Sequence, residues 1–353
     1  MTGADPALDR LAILALSGTA IAMLVRPRHV SALARSPLLP ATSRLTRNVA
    51  RSAARQLAPP PRRATAPRLA HLIARLAPSP AATQAAGRRL NSSAALLAFS
   101  VLADSAVEHY RGSFHNRAMY IPLVTGALTL GASVFGIADK RAARHPMRDT
   151  IYGAAAVTGL AGLGFHAYNI LKRPSGASWL NLFYAAPIGA PMALALAGLL
   201  GRGAEKVRDT PYRRRPLVLG LPAGRALAAV SAAGLGGTVG EAGLLHFRGA
   251  FQNPFMIAPV TIPPVAAALL SAAAAFPGRI INHLARWWLR LTALLGFAGV
   301  GFHVYGVSRA MGGWRNWSQN VVDGPPLPAP PSFTGLALAG LTALSLIERE
   351  YDG

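Results

Sequence analysis

Apolar segments follow one another along this chain from Ser93 onward, and each is close to the length that crosses a bilayer. A helix needs about 20 apolar residues to span the hydrocarbon core. Because lipid offers no partner for an open strand edge, these segments are expected to be helices. The sequence therefore predicts an all-α, polytopic membrane bundle of about eight spans, at residues 93–111, 119–138, 150–171, 185–201, 225–247, 255–276, 287–308 and 333–348.

The charge content supports a membrane protein. Charged residues make up 14% of the 353 residues, whereas soluble proteins carry about 25%. Lys and Arg outnumber Asp and Glu by 36 to 13, an excess that often indicates nucleic-acid binding. Here most arginines lie between apolar segments or near the N-terminus, and no nucleic-acid-binding motif accompanies them. The lipid bilayer, and not nucleic acid, is the partner that this pattern predicts.

The N-terminal quarter differs from the rest. Residues 1–25 contain a short apolar run followed by Arg26 and Arg28, which predicts either a signal-anchor or an interfacial helix. Residues 26–92 are rich in Arg and Pro and are expected to be cytoplasmic, either as a basic amphipathic helix on the membrane or as a disordered tail. The remaining divisions are a first four-helix repeat at 93–202, a basic cytoplasmic linker at 203–224 and a second four-helix repeat at 225–350.

The loops indicate an orientation. Those after the second, fourth and sixth spans are richer in Lys and Arg than those on the opposite side. The positive-inside rule puts the richer loops in the cytoplasm. With eight spans the C-terminus is then also cytoplasmic, and the expected location is a bacterial inner membrane. The residues that decide this are Lys140, Arg141, Arg144, Arg148, Arg202, Lys206, Arg208, Arg213, Arg214, Arg215, Arg279 and Arg286.

Two parts of the sequence repeat each other. Residues 109–122 and 246–259 share His, Arg, Gly, Phe, Asn, Met and Pro in register, and residues 164–168 match 301–305. Both matches have an offset of 137 (246 − 109 and 303 − 166). A constant offset over this length indicates a tandem duplication. Since each copy holds an even number of spans, the copies are expected to be parallel in the membrane.

Each copy has two histidines in its spans, His109 with His166 and His246 with His303. Ionisable residues inside a membrane are costly and usually face the bundle interior. Glycines four and seven residues before the second histidine of each pair predict a groove beside the ring. Two imidazoles with a groove suit a b-type haem with two axial histidines, a pattern similar to that of dihaem helical cytochromes. The predicted haem contacts are Gly159, Gly162, Gly296 and Gly299, with Arg111 and Arg248 for the propionates.

Two other interpretations of these residues stay open. Small residues three or four apart commonly pack membrane helices together, and an intramembrane histidine can serve as a hydrogen-bonding group in a metal-free polar network. Four histidines without hydrogen-bond partners of their own are weak evidence for a metal. A different ligand or metal is the third interpretation.

Two carboxylates, Asp104 and Glu241, also correspond at the offset of 137. A carboxylate inside the membrane in both copies makes them candidates for proton handling. The favoured alternative is an internal ion pair, because Asp104, Glu108 and Arg111 lie on one helical face.

The matching hairpins carry three further pairs of residues. The asparagines are expected to cap the turn, the methionines to pack in the core and the prolines to kink the second span of each copy. The pairs are Asn116 with Asn253, Met119 with Met256, and Pro122 with Pro259.

The sequence contains no P-loop, dinucleotide fingerprint, HExxH or nucleophile elbow, so hydrolytic or nucleotide-driven activity is not expected. The leading hypothesis is a membrane electron-transfer subunit. It would carry haem b between the paired histidines and link an outward-facing redox partner, a peripheral enzyme or a cytochrome, to quinone. The alternatives are a small-solute or proton carrier, and a membrane anchor for a peripheral enzyme with purely structural histidines.

Overall fold

The computed structural model of the chain describes residues 80–184, 187–210 and 215–351. The predictions for residues 1–25 and for most of 26–92 lie outside these residues. We call residues 80–208 the first half and residues 217–351 the second half. The first half contains α1 (Pro80–Arg111), α2 (Ile121–Ala138), α3 (Pro146–Leu171), α4 (Trp179–Tyr184) and α5 (Gly189–Arg208). The second half contains β1 (Leu217–Val218), β2 (Leu221–Pro222), α6 (Ala223–Arg248), α7 (Ala258–Ala275), α8 (Arg279–Arg309), α9 (Trp317–Val322) and α10 (Pro331–Tyr351).

Seven helices of the described residues are long and apolar enough to cross a membrane, and they are α1, α2, α3, α6, α7, α8 and α10. The prediction of a mainly helical chain with several helices able to span a membrane is therefore confirmed, and these helices indicate an integral membrane protein. Helix α5 coincides with the fourth predicted span and does not meet the same criteria. It is apolar as far as Gly201 and then carries Arg202, Glu205, Lys206 and Arg208. The eighth span therefore stays a prediction.

Two boundaries differ from those expected. Helix α1 begins at Pro80, well before Ser93, because residues 81–86 are rich in alanine, the strongest helix former. The predicted linker at 203–224 contains the last turn of α5 and the short hairpin of β1 and β2. The helical part of each half is thus longer than its apolar part.

The prolines Pro122 and Pro259 do not lie where a kink would form. Each occupies the first turn of its helix, α2 or α7. A backbone N–H at that position has no partner inside the helix, so a proline costs nothing there. The prediction that these prolines kink the second spans is wrong, and they mark helix starts instead.

The first and the last long helix of each half form the core of the bundle. Helix α1 packs against α2, α5 and α10, while α6 packs against α7, α10 and, less extensively, α5. Leucines from all four central helices are buried together, namely Leu97, Leu200, Leu235 and Leu336. Helices α2, α3, α7 and α8 lie around this core and expose large apolar side chains such as Leu128 and Leu160. Such a surface is suited to lipid.

The hairpin that follows the first helix has the same backbone in both halves. Helix α1 ends at Arg111 and α6 at Arg248, and a 3₁₀ turn then begins at residue 117 or 254. Between them lie two consecutive non-glycine residues with left-handed φ, 56° and 45° in the first half and 53° and 46° in the second. Such residues are uncommon and cost free energy. They occur at Ser113, Phe114, Ala250 and Phe251.

The two ends of the bundle differ in their polar residues. We call the end that carries His109 and His246 the histidine end, and the opposite end, which carries Arg148 and Arg208, the arginine end. Both ends belong to the same helices, because α3 runs from Arg148 near its start to His166 near its finish.

Candidate functional site

All four paired histidines bond through Nδ1 to a backbone carbonyl. The Nδ1–O distances are 2.6 Å from His109 to Met119, 2.8 Å from His246 to Met256 and 2.7 Å from His303 to Pro326, and His166 bonds to Pro187. Since a carbonyl oxygen only accepts, each Nδ1 is the donor and carries a proton. The neutral ring then has its lone pair on Nε2, and among the described residues no Nε2 of these four rings has a hydrogen-bond partner.

This arrangement is the one found at metal-ligating histidines. A ligating ring usually donates its other N–H to a carbonyl or carboxylate, which fixes the tautomer and the ring orientation. The two rings of each half also lie within electrostatic range of each other, His109 with His166 and His246 with His303. The same hydrogen bonds tie the end of one helix to the start of the next. They are therefore compatible with ligand binding and with a structural role.

The hairpin beside His109 is held as the sequence predicts. The Asn116 side chain accepts a hydrogen bond from the backbone N–H of Ala118 at 2.9 Å, and Asn253 does the same for Phe255 at 3.0 Å. Both asparagine caps are therefore confirmed. The Met119 methyl group lies 3.0 Å from the position that a Cβ on Gly112 would occupy, so this methionine packs over the glycine in the turn.

The glycines before the second histidines contact a helix and do not line a groove. A Cβ on Gly159 would lie 2.3 Å from the Ala195 backbone nitrogen, and one on Gly296 would lie 2.2 Å from Thr334 Oγ1. A Cβ on Gly162 would lie 3.3 Å from Pro191, and one on Gly299 2.8 Å from Pro330. These four glycines let α5 and α10 approach α3 and α8 closely. The prediction that they leave room for a macrocycle is wrong.

The two arginines assigned to propionates contact protein groups. Arg111 forms an ion pair with Glu108 at 2.8 Å and approaches Asp323 at 3.8 Å. The Arg248 guanidinium lies over the Tyr184 ring, 5.2 Å from its centroid. Each arginine has further N–H groups, but its position is explained without a cofactor.

The two corresponding carboxylates, Asp104 and Glu241, lie within electrostatic range of each other and of Glu108. Glu241 accepts a hydrogen bond at 3.2 Å from the backbone N–H of Gly189, the first residue of α5. Asp104 lies in α1, one of the helices able to span a membrane, and its carboxylate has no hydrogen bond or ion pair among the described residues. The predicted internal ion pair thus forms between Glu108 and Arg111 and leaves Asp104 out.

Short helices α4 and α9 connect the two halves at the histidine end. In each, one asparagine donates through Nδ2 to two carbonyls of the preceding loop, Asn181 at 2.9 and 2.7 Å and Asn320 at 3.1 and 2.8 Å. Helix α4 reaches the end of α6, where Phe183 contacts Phe247 at 5.6 Å between ring centroids. Asp323, directly after α9, approaches Arg111 of α1. Each half therefore covers the hairpin of the other.

The arginine end of the first half contains a buried ionic network that the sequence does not reveal. Arg148 donates from Nε and Nη2 to the Glu205 carboxylate at 2.9 and 3.0 Å, and from Nη1 to Asp139 at 2.8 Å. Arg208 donates to the carbonyls of Asp139 and Gly136 at 2.7 and 2.8 Å. Arg148, Glu205 and Arg208 are fully buried. The positive-inside rule treats these arginines as solvent-exposed topology signals, and the 57 residues between Arg148 and Glu205 hide their pairing in the sequence.

The second half has apolar residues in the same places. Residues of α8 correspond to those of α3 at an offset of 137. For α10 and α5 the offset is 139, because Gly159 contacts Ala195 as Gly296 contacts Thr334. Arg148 then corresponds to Ala285, Glu205 to Leu344 and Arg208 to Ile347. Ala285 and Leu344 belong to one buried apolar cluster. The four-helix arrangement of the second half thus forms without this network.

Asp139, between α2 and α3, shows the electrostatic effect of the network. Burial alone would raise the pKa of its carboxyl group. Hydrogen bonds from Arg141 and Arg148, together with the charge of Arg148, outweigh burial and hold the pKa well below its ordinary value. Asp139 is therefore ionised at neutral pH.

The chemistry available to the site is that of the histidine end. Within residues 80–184, 187–210 and 215–351 no group of three or more His, Asp or Glu side chains is arranged to hold a metal ion. Comparison of the chain with protein families, with curated proteins and with solved structures gives no match.

Proposed function

We propose that this protein is a membrane electron-transfer subunit that holds a b-type haem between the two histidines of each half. The observation that carries the proposal is the hydrogen bonding of the four rings. Each Nδ1 donates to a carbonyl, and no residue that the structure describes uses the lone pair of Nε2. A haem bound there would supply an iron that changes its charge by one electron.

In this proposal the histidines are the iron ligands, and backbone carbonyls of the chain orient them. The carbonyls of Met119 and Pro187 orient the rings of His109 and His166 and make them better donors to iron. Those of Met256 and Pro326 do the same in the second half. The glycines of α3 and α8 take no part, because α5 and α10 occupy their surfaces.

The test is the absorption spectrum of the purified full-length protein. Two haems per chain are expected, with a Soret band and a pyridine haemochrome of b type. Replacement of His109 and His166 together by Ala should remove one haem and keep the other, and the same change at His246 and His303 should remove the other.

A matched control is His115→Gln, because the corresponding residue of the second half is Gln252. His115 bonds to the Gly112 carbonyl but has no histidine partner in the pattern. This variant should keep both haems. Full-length protein that contains no haem after expression with an adequate haem supply would refute the proposal.

A proton carrier is the second candidate, and the environment of the Asp104 carboxylate favours it. This carboxylate lacks a hydrogen bond or ion pair in the described residues and lies near Glu241 across α1 and α6. An unpaired carboxylate in a membrane helix is costly unless it binds a proton or a solute. Asp104→Asn should abolish a pH-gradient-driven flux in proteoliposomes, while Asp323→Asn at the surface should leave it intact.

We further propose that the two halves are tandem copies of one four-helix unit and that α5 forms the eighth span. The equal hairpins at an offset of 137, the equal histidine bonds and the equal asparagine bonds of α4 and α9 support the duplication. The positive-inside rule then puts the arginine end and the C-terminus in the cytoplasm of a bacterium. The histidine end faces outward, toward a peripheral redox enzyme or cytochrome, with quinone as the membrane partner.

A further inference from the structure

The histidine end has an open cavity in the first half. Its volume is about 630 Å³, and its walls include Tyr110, Phe114 and Tyr120. The rings of Phe114 and Tyr120 are stacked, with centroids 4.5 Å apart. Small-molecule sites commonly have volumes of about 300–1,000 Å³.

The two halves differ at this place in their short helices. In the second half Phe183 and Tyr184 cover the end of α6, with Phe183 against Phe247 and Tyr184 against Arg248. In the first half the same places, against Tyr110 and Arg111, are taken by Val322 and Asp323. Valine and aspartate are much smaller than phenylalanine and tyrosine. The space that two aromatic rings occupy in one half is therefore free in the other.

The polar groups of the cavity include charges of both signs. Arg111 keeps N–H groups that its ion pair with Glu108 does not use, since a guanidinium has five. Ser113 contributes a hydroxyl group, and the Asp323 carboxylate is 61% exposed. A planar ring that carries carbonyl groups could stack on the aromatic wall and accept hydrogen bonds from Arg111 and Ser113. The form of the same ring that carries hydroxyl groups could donate a hydrogen bond to the Asp323 carboxylate.

One residue in the wall of the cavity contacts a proposed haem ligand. Phe114, which lines the cavity, also contacts the His109 ring edge-on, with centroids 6.2 Å apart. The cavity therefore lies one side chain away from a proposed haem ligand, at the end of the apolar bundle where an amphiphile with a polar ring would reside.

We infer that this cavity binds the ring of a quinone or quinol, and that the chain has one such site because Phe183 and Tyr184 cover the corresponding place in the second half. The inference rests on the proposed electron-transfer function for its purpose, but the binding itself depends only on the cavity.

The test uses decylubiquinone and the full-length protein in nanodiscs, with empty nanodiscs to correct for partition into lipid. Wild-type protein should bind one equivalent. The double substitution Val322→Phe and Asp323→Tyr gives the first half the residues of the second, and it should weaken binding by about tenfold or more because the ring can no longer enter. Gln319→Ala, on α9 but not a lining residue of the cavity, should bind like wild type.

The reverse substitution covers the case in which the filled variant does not fold. Phe183→Val with Tyr184→Asp should open the second half and raise the stoichiometry toward two. No saturable binding by wild type, or equal affinity in wild type and the folded filled variant, would overturn the inference. Saturable binding by protein that lacks haem would retain this site and remove the proposed function, whereas haem without quinone binding would do the opposite.

Discussion

Replacing Glu205 by Leu should strongly destabilise the first half, although leucine is the residue that the second half has at this place. Glu205 accepts two hydrogen bonds from Arg148 and one from the His145 backbone, at 2.9, 3.0 and 2.8 Å. Without it, a fully buried guanidinium keeps only its bond to Asp139. Breaking a buried ion pair by removal of one partner costs about 3–5 kcal/mol. At about 2–4 °C per kcal/mol, the melting temperature should fall by about 6–20 °C.

The double variant Arg148→Ala with Glu205→Leu should regain much of that loss. It removes the charges of Arg148 and Glu205 together, keeps Arg208 with Asp139, and installs the pair that packs in the second half, Ala285 and Leu344. Apolar replacement of a buried ion pair is often neutral or stabilising. The coupling free energy between the two substitutions should therefore be about 2 kcal/mol or more in the favourable direction. Loss of the His145 backbone partner is not restored and limits the recovery.

Thermal denaturation in detergent, followed by intrinsic fluorescence, measures both variants. The control is Arg202→Gln, which removes an ion pair to Asp149 whose arginine side chain is 46% exposed, and it should change stability by less than about 1 kcal/mol. If the double variant melts as low as Glu205→Leu or lower, the network stabilises the fold beyond the compensation of buried charge, and the reasoning from the second half fails.

Three further outcomes follow from other contacts. Gly159→Ala should destabilise the protein by about 1–3 kcal/mol, because the new Cβ meets the Ala195 backbone. Gly164→Ala on the same helix is the control. Its Cβ would have no atom within 4 Å, so this variant should be neutral or stabilising in the same melting assay. The difference in melting temperature between wild type and Asp139→Asn should be constant from about pH 8 to 5 and shrink only below about pH 4. This follows because a folded-state pKa below the ordinary value contributes stability above the ordinary pKa and loses it as the pH falls through the lowered one. Asn181→Ala should lose about 1–2 kcal/mol of local stability and increase proteolysis of the loop before α4.

The sequence predicts the parts of the fold that depend on local pattern. Apolar length and the offset of 137 are sufficient to anticipate the long helices, and the caps at Asn116 and Asn253 follow from short-range turn chemistry. The sequence does not determine which residue begins a membrane helix, so it cannot distinguish a kink from a helix start at Pro122 and Pro259. When the helix begins two residues later than predicted, as α2 does, a proline expected to kink it lies in its first turn instead.

The parts of the site that depend on tertiary contacts are not predictable in the same way. A glycine beside a histidine has the same sequence signature whether a cofactor or a helix lies against it, and at Gly159 it is the backbone of α5. Arg148 looks like a loop charge because its partner Glu205 is 57 residues away in the chain. Arg208 looks like one because the carbonyls that it bonds belong to Asp139 and Gly136, about 70 residues away. Among these long-range features, the recurrence of Trp followed closely by Asn at 181 and 320 is the one signal that could have identified α4 and α9 as equivalent.

The crossed coverage at the histidine end limits how the halves can move. A carrier that works by rocking one half against the other must separate them alternately at each end. Here separation at the histidine end would pull Phe183 from Phe247, Tyr184 from Arg248 and the start of α5 from Glu241 in one step. These contacts between the two halves oppose their separation at the histidine end. Electron transfer does not require the two halves to separate, whereas solute transport by rocking does.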